Sequence, residues 1–363
     1  KEDTLYENRE LIQNCTINVY SGNTFKIVNS SLKITQNKSY QHRIWVDGNG
    51  RLEMINSNIS SLENFYTYHR TYGDILLNNT RSLDYGTGRL YVYGDSLVEF
   101  TENSSLHYIY LGGDGGIETS GSQPINLPSL YVYLNYDDFM INGLDYQNFV
   151  DNKTILNSSQ GDKYIRFNTP TKAYIRFSIY DNTNISDSNI PTIYSYLTAD
   201  EKLEIMNTSI RNLRPYGNGT IYSHHPSSSI NYLYPRYSSY YGDTTHIAGL
   251  LNITGLDGWS DESKVARIYP ISVVNDYGQP VADHEIQLIY NNTLLDSGVT
   301  DSNGYAELTG VYNKSTGYLK QASYQVMADD FWLGNVSIMT NIGPEGLIYT
   351  LSAENVSDND GDG

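Results

Sequence analysis

Several aspartates stand in turn-forming surroundings where carboxylates can meet a ligand. Asp114 lies inside Gly112-Gly-Asp-Gly-Gly116, Asp137 and Asp138 are adjacent, and Asp145 follows Gly143-Leu144. A groove lined by such carboxylates, with an Arg or Lys beside them and often Ca²⁺, is what cleavage or elimination on an acidic polysaccharide needs. Neighbouring strand residues face opposite ways, so Asp137 and Asp138 would not both line one groove, and solvated turns are the plainer reading of all four. Near the end, Ser357-Asp-Asn-Asp-Gly-Asp-Gly363 alternates oxygen donors with glycine. Asp358, Asp360 and Asp362 are therefore candidate Ca²⁺ ligands, with a solvated acidic tail as the alternative. His224, His225 and His246 share a region with Asp243 but lack zinc-ligand spacing. No cofactor is required by any of these patterns.

A modification signal is stronger. Sixteen Asn-X-Ser/Thr sequons begin at Asn14, Asn29, Asn37, Asn58, Asn78, Asn103, Asn152, Asn157, Asn184, Asn207, Asn218, Asn252, Asn291, Asn313, Asn335 and Asn355. That is more than twice what 37 Asn and 64 Ser plus Thr would give by chance. N-linked glycans need exposed sites on an exported chain, which predicts an extracellular or cell-surface location. The competing reading is that Asn-Ser and Asn-Thr are turn formers in a loop-rich β protein. Cys15 is the only cysteine, so no intrachain disulfide is possible. A long sequon-rich chain without disulfides suits an archaeal or bacterial envelope better than a small disulfide-dense eukaryotic secreted domain.

These candidates must be positioned by strands. The 363 residues include 35 Tyr but only nine Ala, the best helix former, and β-formers replace it in short runs. The formal charge of −18 excludes phosphate-backbone binding as a main task, so no nucleic-acid partner is expected. No apolar run of about eighteen residues exists, so no membrane span is expected. No leader peptide is read, and Lys1 would suit a chain whose leader has been removed.

Three octets align without a gap: Phe25-Lys-Ile-Val-Asn-Ser-Ser-Leu32, Leu52-Glu-Met-Ile-Asn-Ser-Asn-Ile59 and Leu203-Glu-Ile-Met-Asn-Thr-Ser-Ile210. A looser fourth is Val98–Leu106. Each is a short alternating strand, an Asn-Ser turn and a new apolar position, the unit of a β-solenoid. Gly88–Tyr93, Ser129–Leu134, Tyr164–Phe167 and Tyr174–Phe177 fit as further coils. The expected organisation is a parallel β-helix-like solenoid over 1–250, a connector at 251–264, a β-sandwich over 265–353 and an acidic tail at 354–363. Tyr216, Tyr222, Tyr232, Tyr234, Tyr237, Tyr240 and Tyr241 cluster at the solenoid's end, as a protein or sugar contact or as a cover for that end.

The run Val274-Asn-Asp-Tyr-Gly-Gln-Pro-Val281, followed by Gly298-Val-Thr-Asp-Ser-Asn-Gly-Tyr-Ala306, resembles bacterial Ig-like and carboxypeptidase-regulatory-like modules. That resemblance implies a Greek-key sandwich used as a stalk or spacer. The Asn-Ser octets and dense sequons together resemble archaeal S-layer, sheath and adhesin-like surface proteins, which implies a structural envelope role. Tyr91-Val-Tyr-Gly-Asp-Ser-Leu97 and Asp243-Thr-Thr-His246 are similar to two blocks of the GDSL esterases. That likeness would make Ser96 the nucleophile, His246 its base and Asp243 the orienting acid. The GDSL family is α/β and feeds its nucleophile strand into a helix, whereas Val98–Leu106 reads as a strand and turn. The expectation is therefore a non-catalytic structural glycoprotein that assembles with copies of itself. The alternatives are a carbohydrate-binding adhesin, a polysaccharide-active β-helix and, remotely, an esterase.

Overall fold

The computed structural model describes residues 3–61, 66–67, 69–83, 88–134, 139–158, 163–257, 262–313 and 323–352. Among them the chain is all strand and turn, with no helix, and so has no helix long and apolar enough to cross a membrane. It divides into two compact units, Lys1–Thr192 and Ile193–Gly363.

The first unit is a β-solenoid. One wall stacks Thr4–Glu7, Thr24–Val28, Arg51–Ile55, Asp74–Asn78, Leu97–Thr101, Gly116–Ser120 and Tyr164–Phe167, each parallel to the last. A short second wall stacks Glu10–Gln13, Ser31–Ile34, Asn58–Ser61 and Arg81–Ser82. The third stacks Ile17–Val19, Ile44–Val46, His69–Thr71, Arg89–Val92, Tyr108–Leu111, Ile125–Leu134 and Thr171–Ile179. The first two octets are register partners: Phe25 pairs with Leu52 and Ile27 with Met54. Alternate residues point inward, so Phe25, Leu52, Ile75, Val98 and Ile117 form one buried column and Ile27, Met54, Leu77 and Phe100 another. Burying each such side chain stabilises the fold by about 1.5–3 kcal/mol. Coil 75–82 keeps the octet's strand and its Asn79-Thr80 corner but ends in Ser82 in place of the final apolar residue, and Ile75 pairs with Leu52.

The Asn-Ser pairs are the corners. Asn29, Asn56 and Asn79 have φ of 47°, 47° and 44°, the left-handed region that Asn tolerates better than other side chains. The residue after each, Ser30, Ser57 and Thr80, turns inward and is buried. Ser57 Oγ donates to Ile55 O at 2.8 Å, and Thr80 Oγ1 to Met54 O at 2.9 Å and Asn78 O at 3.0 Å. They add a side-chain donor at carbonyls that the neighbouring coil also bonds, since Ile55 O accepts from Asn29 N at 2.9 Å and Asn78 O from Asn56 N at 2.8 Å.

The second unit repeats the scheme. Lys202–Met206, Thr220–Ser223, Thr244–Gly249 and Lys264–Val274 run parallel in one wall. Ser209–Pro215, Ser229–Leu233 and Asn252–Ile253 run parallel in another. The third octet supplies a corner, with Asn207 at φ 46° and Thr208 buried. The stretch expected as a connector thus contains Asn252–Ile253, a paired strand. Lys264–Val274 also pairs antiparallel with Tyr305–Asn313 and parallel with Leu347–Thr350. Beyond it, Thr293–Val299, Glu285–Tyr290, Tyr324–Ala328 and Phe331–Val336 form a small antiparallel sheet in that order. Arg267 is buried in this unit, with Nη2 donating to Leu251 O at 2.9 Å and to Thr340 O at 2.7 Å. Burial lowers its pKa, opposed by the Tyr269 and Tyr312 hydroxyls.

Candidate functional site

On the third wall of Lys1–Thr192 the inward positions are apolar, including Leu90, Val92, Ile109, Leu111, Leu130, Val132, Ile175 and Phe177. Most outward positions are Tyr, Trp or Arg, with Asn18, Asn126, Ser129 and Lys172 among the rest. Parallel pairing aligns Trp45, Arg70, Tyr91, Tyr110, Tyr131 and Arg176 in a single row across six strands. Strands lie about 4.7–4.9 Å apart, which matches the spacing of stacked rings, so aromatic residues in register fall into contact.

The rings stack along and between rows. Centroids are 5.2 Å apart for Tyr91 and Tyr110, 4.7 Å for Tyr108 and Tyr131, and 4.5 Å for Tyr110 and Tyr133. A second run links Trp45 to Tyr72 at 6.0 Å and Tyr72 to Tyr93 at 5.4 Å. Guanidinium groups lie over these faces: Arg43 over Trp45 at 4.6 Å, Arg89 over Tyr66 at 4.2 Å and Arg176 over Tyr131 at 4.8 Å. Each such contact contributes about 0.5–1 kcal/mol at a partly exposed site. Arg89 Nη1 also donates to the Tyr40 hydroxyl at 3.2 Å, and Arg176 to that of Tyr131. Partial burial, and then the neighbouring Tyr133 hydroxyl, push the Tyr110 phenol well above its ordinary pKa, so it stays a hydrogen-bond donor.

Charge is segregated between the walls. The seven strands of the third wall contain no Asp or Glu, although the chain carries 41 of them. The first wall holds Glu7, Glu53, Asp74, Glu99 and Glu118. There the cations meet carboxylates: Lys26 with Glu53 at 2.9 Å, Arg51 with Glu53 at 2.8 Å, and Arg166 with Glu118 at 3.2 Å. The hydrogen bond from Arg51, then that from Lys26, holds the Glu53 carboxyl below its usual range.

The residues singled out from sequence fare differently. Ser96 is buried and donates to Tyr93 O at 2.6 Å. It belongs to Lys1–Thr192, whereas Asp243 and His246 belong to Ile193–Gly363. Asp243 pairs with Lys264 at 2.8 Å and accepts from Thr244 Oγ1 at 2.8 Å, which lowers its pKa. Asp114 is exposed on its glycine turn, and Asp145 Oδ1 accepts from Gln147 N at 2.9 Å within its own turn. Asp137, Asp138, Asp358, Asp360, Asp362 and Asn355 lie outside the described residues. No group of three or more His, Cys, Asp or Glu converges as a metal site among the described residues. None of the fifteen described sequon asparagines is buried. In the Tyr-rich stretch, Tyr232, Tyr237 and Tyr240 are exposed, and the strands Thr220–Ser223 and Ser229–Leu233 run through it. The same unit has a cleft of about 570 Å³ lined by Tyr222, His224, Tyr305 and Glu307, with the Tyr305 hydroxyl donating to Glu307 at 2.6 Å.

The aromatic–arginine wall was not singled out from sequence, although its pieces, Gly88–Tyr93, Ser129–Leu134 and Tyr174–Phe177, read as coils. The available signal was the repeated placing of Tyr and Arg at outward positions, and only register turns those positions into one surface. No family model, curated protein or solved structure matches this chain.

Proposed function

We propose that this chain is a surface glycoprotein whose first unit is a rigid platform for binding carbohydrate, an adhesin-like role without catalysis. The observation that carries the reading is the row Trp45, Arg70, Tyr91, Tyr110, Tyr131 and Arg176 on one carboxylate-free wall. Sugar rings present C–H faces that stack on aromatic rings, while their hydroxyls bond Tyr and Arg tips. A solenoid wall is suited to the task, because its backbone ladder fixes side-chain spacing in advance and little ordering entropy is lost on binding. The antiparallel C-terminal region, read as an Ig-like spacer, and the unburied sequons fit a chain displayed outside the cell. The test is retention of the glycosylated full chain on immobilised polysaccharides, with Tyr110→Ala and Tyr131→Ala as variants. Retention that both variants weaken supports the platform. Equal retention of the variants, or chain-shortening of the polysaccharide by the wild-type protein, overturns it.

A second reading, a subunit of an S-layer, sheath or filament, is favoured by the small antiparallel sheet. Thr293–Val299 and Phe331–Val336 each stand at the end of that sheet among the described residues, with Leu294, Val299 and Trp332 more than half exposed. An uncovered strand edge is a template for another chain. Ordered sheets or filaments in negative-stain electron microscopy would support assembly, and discrete monomers would remove it.

A further inference from the structure

We infer that the ligand of the aromatic–arginine wall is an acidic polysaccharide, a sugar chain bearing carboxylate or sulfate groups that lies across the strands from Arg70 to Arg176. This rests on the carbohydrate-platform reading and names its ligand class. Three observations lead to it.

The first is the segregation of charge. A chain of net −18 keeps every Asp and Glu out of seven consecutive strands while placing Arg70, Arg89, Lys172 and Arg176 on them. Packing alone does not require this, since the first wall has the same alternating burial and accepts Glu53, Glu99 and Glu118 at its outward positions. Carboxylates on the third wall would repel an anionic ligand and would be harmless to a neutral one.

The second is the state of Arg176. Its guanidinium contacts the rings of Tyr131 and Tyr174 and the Tyr131 hydroxyl, and it meets no carboxylate among the described residues. On the first wall, Arg51 reaches Glu53, Asp74 and Glu99 within 3.8 Å. A guanidinium packed against rings and left without a counter-charge is pre-positioned for the paired oxygens of a carboxylate or sulfate.

The third is spacing. In the row, Arg70 and Arg176 are separated by Tyr91, Tyr110 and Tyr131, four strand steps or about 19 Å. A chain along this row meets a cation, three rings and a second cation. Sparse cations among stacking faces suit a polysaccharide with intermittent acidic groups. A single-stranded nucleic acid carries a phosphate at every nucleotide, and its affinity depends on many cations at once.

The test uses the full chain and four immobilised polysaccharides at low and at moderate salt. They are polygalacturonate, its fully methyl-esterified form, dextran sulfate and dextran, with single-stranded poly(dT) as a further arm. The expected result is binding to polygalacturonate or dextran sulfate about tenfold tighter than to the uncharged counterpart, weakening with salt. The two charged arms separate carboxylate from sulfate recognition. Arg176→Gln is expected to abolish most of that preference, weakening binding to the charged chains far more than to the uncharged ones. Arg176→Lys, which keeps the charge, is expected to restore part of it. Far-UV circular dichroism checks that the wall persists in both variants. Equal binding to charged and uncharged chains would overturn the acidic ligand and leave the carbohydrate platform standing. Binding to no polysaccharide would overturn the platform itself. Tighter binding to poly(dT) than to either acidic polysaccharide would replace the inference with nucleic-acid recognition.

Discussion

Asn56 donates its side-chain amide to Asn29 Oδ1 at 3.2 Å, and both residues hold left-handed backbone at one corner of successive coils. The ladder extends in both directions, from Asn29 to Asn8 at 3.2 Å and from Asn79 to Asn56 at 3.0 Å. Four asparagines thus serve two purposes each, tolerating the strained corner and linking one coil to the next. Asn29 is also a sequon asparagine, so that one of the sixteen sequons has a structural cause at this corner.

Replacing Asn56 separates the two purposes. Asn56→Ala is expected to destabilise the protein by about 1–2 kcal/mol, because alanine bears the left-handed strain and makes no ladder bond. Asn56→Gly is expected to cost less, since glycine accepts that backbone without strain and loses only the amide bonds. Urea unfolding followed by circular dichroism measures both. Equal losses would show that backbone strain at φ 47° is not the larger cost.

The buried hydroxyl beside the ladder makes a separate contribution. Thr80 Oγ1 donates to Met54 O and Asn78 O, and Thr80 N donates to Ser104 Oγ at 3.0 Å. Thr80→Val keeps the shape and strips the donor, so a loss of about 1–3 kcal/mol is expected. Thr80→Ser keeps the donor and should lose less. A thermal melt in which valine matches threonine would mean that the carbonyls find other donors.

Acid should loosen the charged wall. Glu53 has its folded pKa held below its ordinary value by Arg51 and Lys26. Its stabilising contribution is therefore complete above the unfolded pKa and disappears as pH falls through the folded one. Melting temperature is expected to drop as pH is lowered from about 5 towards 3, starting near the ordinary carboxylate range. Glu53→Gln should be less stable than wild type at pH 7 and should flatten part of that slope. Solvent screening keeps the effect below about 1 kcal/mol. Parallel pH profiles for the two proteins would remove Glu53 from the account.

Ser96 offers a test of the esterase reading. Its hydroxyl is buried and bonded to Tyr93 O. Ser96→Ala is expected to lower stability by about 1 kcal/mol and to leave hydrolysis of p-nitrophenyl acetate at the level of the wild-type protein. A turnover present in wild type and lost in the variant would restore a nucleophilic role.

Much of the architecture was legible in the chain itself. The scarcity of alanine and the short alternating runs determine an all-β protein, and the octets determine a solenoid, because Phe25, Leu52 and Leu203 begin the same strand-and-corner unit. The corner was visible as Asn-Ser, but its ladder was not: an asparagine's partner lies a full coil away, beyond any local pattern. The candidate wall depended still more on the third dimension. Tyr91, Tyr110, Tyr131 and Arg176 stand 19, 21 and 45 residues apart in turn, intervals that no fixed period links. Loops of different length separate them, and only the parallel backbone ladder, which aligns strands regardless of loop length, gathers them into one row. Composition alone determined that the chain is acidic. Folding decided that Glu53, Glu99 and Glu118 face one wall of the first unit and the arginine-bound tyrosines another, because each strand's alternation sends its outward residues to a single wall.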